Sequence, residues 1–283
     1  MSFSEALQPS LPTIAAILAA MAVVALVETV IPLRGRTRWN REHLGPNLTL
    51  TFVTFATNAF LNAVLLVAVA WLYGRGFGLL PLLALPPIPA AALAVVALDF
   101  SFYVAHVAMH KVPALWRYHR VHHSDPVVDV TTTIRQHPGE SAIRYAFMGT
   151  FAIAIGPSPV AFGVYRAVSA LTGLVEHADI RAPLRLDRML SLVTTWPHMH
   201  KVHHSRLATE TDTNYGNVFS WFDRAFGTFT PSYRGVGVAY GLAGDDDPAM
   251  QTTMALLAMP FRDADRQPSP AVTPWTSGAS RTP

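Results

Sequence analysis

Long stretches of the chain carry almost no polar residue, and their lengths are those of membrane-crossing helices. Residues 11–33 form a run of 23 with Glu28 as its only charge, and residues 47–73 a run of 27 with none. A helix rising 1.5 Å per residue needs about 20 apolar residues to cross the hydrocarbon core, so both predict transmembrane spans. Residues 89–109 offer a third, 21 residues long with Asp99 as its one formal charge. The intervening stretch 76–87 is apolar but broken by Pro81, Pro86 and Pro87, the pattern of an interfacial or re-entrant connector. Apolar residues return over 145–175 with Gly156-Pro157-Ser158-Pro159 in their midst, which ends one helix and starts another. A helical hairpin over 143–175 is expected there, with Arg166 in its second arm.

Beyond Arg181 charge density rises and no 18-residue apolar run recurs. Residues 181–234 therefore predict a membrane-peripheral cap. The stretch 262–283, rich in Pro, Ser and Thr, reads as a disordered tail, leaving residues 1–261 as one membrane-embedded domain. The first eight residues hold no Lys or Arg and do include Glu5, unlike a cleaved signal peptide. Arg34, Arg36, Arg38 and Arg41 lie between the first two spans, and short basic loops stay on the cytoplasmic side. Counting crossings from that loop puts segments 106–140 and 176–234 together at the cytoplasmic face.

Composition agrees with this layout. Of the 283 residues 51% are hydrophobic and 14% charged, the latter about half the usual soluble fraction, and mean hydropathy is +0.29. The chain reads as an all-α, polytopic membrane bundle with a helical cap. It has no Cys, which excludes disulfides, thiolate nucleophiles and Cys-bound metals, so any metal must be held by His, Asp or Glu. A net charge of +3 is too small to suggest nucleic acid.

The chain holds 12 His, and 11 of them fall between His106 and His204, where an even spread would put about four. His106 and His110 are spaced i, i+4. His119, His122 and His123 are spaced i, i+3, i+4, and His200, His203 and His204 repeat that pattern. On a helix these offsets put imidazoles on one face, close enough to share a metal centre. Eight imidazoles exceed what one tetrahedral ion takes and suit a pair of ions. His137, in Gln136-His137-Pro138-Gly139-Glu140, and His177, in Glu176-His177-Ala178-Asp179, are supplementary candidates. His198 and His43 are not expected to be ligands. Ligating imidazoles usually pass their second N–H to a carboxylate or carbonyl. Asp99 with Tyr103, on one helical stripe before His106, are candidates for that support, as are Glu140, Glu176 and Asp179, with Asp125 and Asp212 of the same kind.

The strings Asp99-Phe100-Ser101-Phe102-Tyr103-Val104-Ala105-His106-Val107-Ala108-Met109-His110 and Leu115-Trp116-Arg117-Tyr118-His119-Arg120-Val121-His122-His123-Ser124 resemble the fatty acid hydroxylase/sterol desaturase superfamily. So do Trp196-Pro197-His198-Met199-His200-Lys201-Val202-His203-His204-Ser205, Asn214-Tyr215-Gly216 and the segment 221–229. The resemblance covers residues 98–231. It implies transmembrane helices under a cytosolic cap, and two iron ions held by His106, His110, His119, His122, His123, His177, His200, His203 and His204, with His137 in a His-Pro-x-Glu-like segment. It also implies an apolar lipid substrate, O2 activation, and electrons from a separate ferredoxin- or cytochrome b5-type carrier. Gly173 departs from it, since fatty acyl 2-hydroxylases of the superfamily often carry a His there.

Imidazoles suit Fe, Zn, Cu or Ni alike, and zinc could occupy the site in isolated protein. The chain contains no Gly-x-Ser-x-Gly elbow and no Gly-rich dinucleotide fingerprint, which favours oxidation of an unactivated C–H bond with reductant from a partner. A histidine-rich metal-ion transporter and a zinc-dependent lipid hydrolase are the alternatives. A transporter would place ionisable groups deep in several spans. The identity of the lipid, the choice between hydroxylation and desaturation, and the oligomeric state are not encoded in any motif of the chain.

Overall fold

A computed structural model describes residues 1–34, 42–245 and 247–262. The tail from residue 263 and the basic positions Arg36, Arg38 and Arg41 lie outside the described residues. The described chain is helical, with an isolated bridge between Pro32 and Ile180 in place of any sheet. Three helical stretches are long and apolar enough to cross a membrane: Phe3–Val30, Leu44–Tyr73 and Pro87–Lys111. The first comprises α1 (Phe3–Leu7) and α2 (Ser10–Val30); the others are α3 (Leu44–Tyr73) and α5 (Pro87–Lys111), separated by the short α4 (Leu79–Leu83). The expected hairpin is α7 (Pro138–Ile155) and α8 (Pro159–His177), following α6 (Pro113–His123).

Four successive helices start with proline at the first turn: α5 at Pro87, α6 at Pro113, α7 at Pro138 and α8 at Pro159. The fixed φ of proline suits that position, where its missing N–H costs nothing. The short α10 (Pro197–His203), which follows α9 (Leu184–Leu190), starts the same way at Pro197. Between the hairpin arms Gly156 adopts φ 64°, and a Cβ there would strike the Phe77 carbonyl. The α4 connector thus docks on the hairpin tip.

The bundle is apolar outside and polar inside, as a lipid solvent demands. Val30, Phe52, Phe60, Ile88 and Val160 are exposed, whereas Glu28, Asn47, Thr51, Thr54, Asp99 and Ser101 are buried on the same elements. Leu65, Val69, Leu98, Met148, Phe162 and Tyr165 pack the centre together with Val218 of the cap.

Each span contributes one buried polar group that fastens the cap. Glu28 Oε1 accepts from the N–H of Val130 and of Asp179, both at 2.8 Å. Asn47 Nδ2 donates to Asp125 at 2.8 Å and to Thr131 at 3.0 Å. Asp99 accepts from the N–H of Val218 at 3.2 Å and of Phe219 at 2.9 Å. Arg135, fully buried, donates to the Val121 carbonyl, Asn47 Oδ1, Ser124 Oγ and Gln251 Oε1 at 2.6–3.0 Å. Every donor of such a buried cation must be satisfied, because an unpaired one costs several kcal/mol.

His43, just before α3, completes this network, 3.0 Å from Asp125 and 3.2 Å from Asp129. Burial works against its charged form, but the two carboxylates outweigh burial and raise its pKa to about 10. A pKa raised on folding adds stability that is complete below the unfolded value, about 6.5, and fades as the pH climbs through the folded one. The thermal midpoint of the detergent-solubilised protein should therefore fall between about pH 6.5 and about pH 10,. In His43→Gln that alkaline decline should flatten; an unaltered slope would contradict the charged pair.

Candidate metal centre

Nine imidazoles meet in two buried groups. His106, His110, His119, His123 and His203 form one, and His122, His177, His200 and His204 the other, with the ligand atoms of each group within 4.8 Å of one another. Both His-x-x-His-His boxes are divided between the groups. The sequence spacing suggests that each box serves one shared centre; instead His119 and His123 join the first group and His122 the second, while His200 and His204 join the second and His203 the first. At 3.6 residues per turn, i and i+4 lie about 40° apart and i+3 falls about 60° to the other side, so each box feeds two neighbouring points. The groups abut: the His123 and His204 rings stack at 4.6 Å, and those of His200 and His203 at 5.1 Å.

Ring orientation follows from the outer nitrogens. Nδ1 of His106, His177 and His203 reaches the carbonyls of Tyr215, Gly173 and Thr213, each at 2.8 Å. Nδ1 of His119 lies 3.0 Å from Glu140 and that of His110 lies 3.3 Å from Asp212. A carbonyl or carboxylate there fixes the proton on Nδ1 and leaves the Nε2 lone pair pointing inward. In the second group, Nε2 of His177 is 3.0 Å from Nε2 of His122 and of His200, and 3.2 Å from that of His204. One proton can bridge only one such pair, so hydrogen bonding does not satisfy the set. These spacings match the edges of a coordination shell with bonds of about 2.0–2.1 Å.

Burial, together with the mutual repulsion of neighbouring imidazolium charges, pushes the pKa values of His119, His122, His123, His200 and His204 well below the ordinary range. The rings are neutral at pH 7, the form that coordinates a cation. His203 Nε2 and His123 Nε2 are buried with no hydrogen-bond partner. The donor set therefore fits metal ions bound by nitrogen.

Other candidates lie elsewhere. His137 is outside both groups: it caps α7, its Nδ1 accepting from the Gly139 N–H at 2.9 Å, and its ring packs against Tyr118. A residue preceding proline at a helix start is in the capping position. Asp99 precedes His106 by two turns, about 10 Å along the helix, and its carboxylate is taken by cap amides. Asp179 likewise faces backbone, accepting from the Arg34 N–H at 3.3 Å. Tyr103 donates to or accepts from Thr228 Oγ1 at 2.9 Å and stands beside Tyr215, whose carbonyl holds His106. Glu140 touches His119 and is gripped by Arg144 at 2.8 Å. Glu176 lies 3.7 Å from His177 Nδ1 and 3.9 Å from His200 Nε2. His198 lies 3.4 Å from Asp187, outside both groups.

Sequence reasoning missed three supports. Trp116 packs on His110 and His123, with ring centroids 5.0 and 5.5 Å away. Asp223 accepts from the N–H of Tyr215 at 2.7 Å and of Gly216 at 2.9 Å, and so positions the Tyr215 carbonyl. Lys201, between two ligand candidates, is buried, its Nζ donating to the carbonyls of Val128 and His177. The segment 214–216 was a visible signal for Tyr215; Trp116 and Lys201 had none beyond their proximity to the boxes.

A cavity of about 560 Å3 opens onto these rings. Phe55, Phe102, Met148 and Phe162 line it, and His106, His122, His177 and His200 form its end. Its size is that of a small-molecule site.

The fatty acid hydroxylase family matches residues 91–228, which include eight of the nine clustered histidines in their expected spacing and His177 as the ninth. Nearly half of the chain thus carries the pattern of the fatty acid hydroxylase/sterol desaturase superfamily. It is 31% identical over 176 residues to the ornithine lipid hydroxylase OlsE of Rhizobium tropici, covering 62% of this chain and 51% of that protein. It is 32% identical over 150 residues to the alkylglycerol monooxygenase of Danio rerio, covering 53% of this chain and 32% of the relative. To a cholesterol 25-hydroxylase-like protein of Danio rerio it is 27% identical over 133 residues, 46% of this chain and 51% of the relative. The aligned segments thus span about half or less of these superfamily relatives. No solved structure matches the chain.

His203→Ala and His122→Ala, which each remove one donor from a different group, are expected to lower bound metal in elemental analysis of the purified chain. His137→Ala is expected to leave it unchanged. Wild-type metal content in both of the first two variants would contradict the ligand sets.

Proposed function

We propose that this protein is a membrane-bound dimetal oxygenase that hydroxylates or desaturates a lipid, with two irons held by the nine clustered imidazoles. The observation that carries this reading is the placement of two neutral, buried imidazole groups at the end of a largely apolar cavity within a membrane bundle. The relatives' names, each a hydroxylase or monooxygenase, support it. The basic loop that starts at Arg34 supports a cytoplasmic position for the cap. Electrons would come from a separate carrier, since the chain holds no dinucleotide motif,.

His106, His110, His119, His123 and His203 would hold one iron, and His122, His177, His200 and His204 the other. Bound iron would supply, with O2 and electrons, an oxidant able to break an unactivated C–H bond. The protein's own part is to orient and to exclude water. Carbonyls of Tyr215, Gly173 and Thr213 hold the rings in one tautomer. Glu140, itself fixed by Arg144, holds His119. Phe102, Met148 and Phe162 present an apolar wall to an alkyl chain and keep the approach dry.

The test is O2 uptake by anaerobically purified, iron-loaded protein on adding lipid extract and a reductant, followed by mass spectrometry of the lipids. Uptake that depends on lipid, with a product heavier by one oxygen or lighter by two hydrogens, is expected. Ester or amide hydrolysis without O2 uptake, or metal transport into empty liposomes, would overturn the reading. Met148→Trp, which fills the cavity away from the imidazoles, should lower lipid-dependent uptake by up to about 100-fold through misplacement of the chain while metal content stays at the wild-type level.

A further inference from the structure

The cavity is not uniformly apolar. Its wall follows one face of α8 from Pro159 through Phe162, Arg166 and Gly173 to His177. The opposite face, with Val160, Val164 and Val168, is exposed. Arg166 therefore points a permanent charge into the cavity from a helix whose outer side is built for lipid. It forms no ion pair among the described residues; its guanidinium lies 5.1 Å from the ring of Tyr145, another lining residue. A guanidinium in such a segment without a carboxylate is expensive and marks a functional site by default.

Across the cavity, α3 offers Asn58 and Asn62, spaced i, i+4 on one face,. The Oδ1 atoms of both are buried without a hydrogen-bond partner. Tyr145 ties the two sides together, its hydroxyl donating to the Asn58 carbonyl at 3.3 Å. These two oxygens are acceptors, suited to an O–H or N–H of a head group, whereas the donors that an anion needs come from Arg166. His177 follows Arg166 by 11 positions along α8, about 16 Å along the helix axis.

Building on the oxygenase reading, we propose that Arg166 clamps the anionic head group of an amphiphile, a carboxylate or a phosphate, inside this cavity. The tail then runs toward the imidazoles, and the carbon presented there is remote from the head. An Arg fork supplies two parallel N–H donors to either anion. The substrate class is thus a single-chain anionic lipid, not a neutral sterol or alkane.

Equilibrium binding of radiolabelled palmitate, hexadecyl phosphate and hexadecanol to the full chain in detergent tests the clamp without any turnover. At least one anion is expected to bind about tenfold more tightly than the alcohol, as a charge-assisted contact provides, and the tighter anion identifies the head. In Arg166→Gln that preference should vanish, with hexadecanol affinity and metal content unchanged; Arg166→Lys should restore part of it. Equal affinities of the three ligands for the wild-type chain, or a preference that survives Arg166→Gln, would overturn the proposal. The wild-type comparison stands even if a variant fails to fold. Loss of the oxygenase reading would show separately, as absent O2 uptake with binding preferences intact.

Discussion

Nine imidazoles whose inner nitrogens face one another in a dry interior set the terms for everything else in this fold. Lone pairs 3.0–3.2 Å apart within the His122, His177, His200 and His204 group cannot all be satisfied by protons. Burial keeps the rings uncharged, so they cannot relieve the crowding by repelling as cations. Such an arrangement is costly unless cations occupy its two foci, and a structure that maintains it must be held rigid from outside.

That rigidity comes from the membrane helices. Glu28, Asn47 and Asp99, polar groups that lipid would reject, are each spent on the cap segments that carry the ligands. Glu28 binds the amide just past His177, at Asp179, and Asp99 binds the amides just past Tyr215, at Val218 and Phe219. A short cap helix such as α10, only 7 residues long, is held by its neighbours, with Asn214 Nδ2 donating to the Met199 carbonyl at 3.0 Å. An isolated helix of that length is unstable in water. Lys201 adds a tie from inside the second box to the Val128 and His177 carbonyls. Burial lowers its pKa to about 8, against the pull of Asp179 and Glu28.

Much of this was legible in the chain. Apolar run lengths located the three spans to within a few residues, because lipid thickness fixes helix length, and Gly156-Pro157 marked the hairpin turn. The histidine spacing identified eight of the nine clustered rings, and His177 was a supplementary candidate. What spacing could not resolve was their partition, since that depends on where two helices aim their 40° and 60° offsets relative to one another. The structure brings neither the Asp99 carboxylate nor His137 into the two groups, for a local reason. Sequence proximity to a box is not spatial proximity when a helix rises two turns, and His137 was already committed as a cap by Pro138. Glu28, conversely, gave no sign of its role, because its partners are backbone amides 102 and 151 positions away.

The central claim, that these nine nitrogens hold two adjacent ions, is tested most directly by X-ray absorption at the iron edge on the purified, iron-loaded full chain. The account expects a first shell dominated by imidazole nitrogen at about 2.0–2.2 Å, with imidazole outer-shell scattering and two irons per chain. A single iron, or a first shell mainly of oxygen without the imidazole signature, would contradict it.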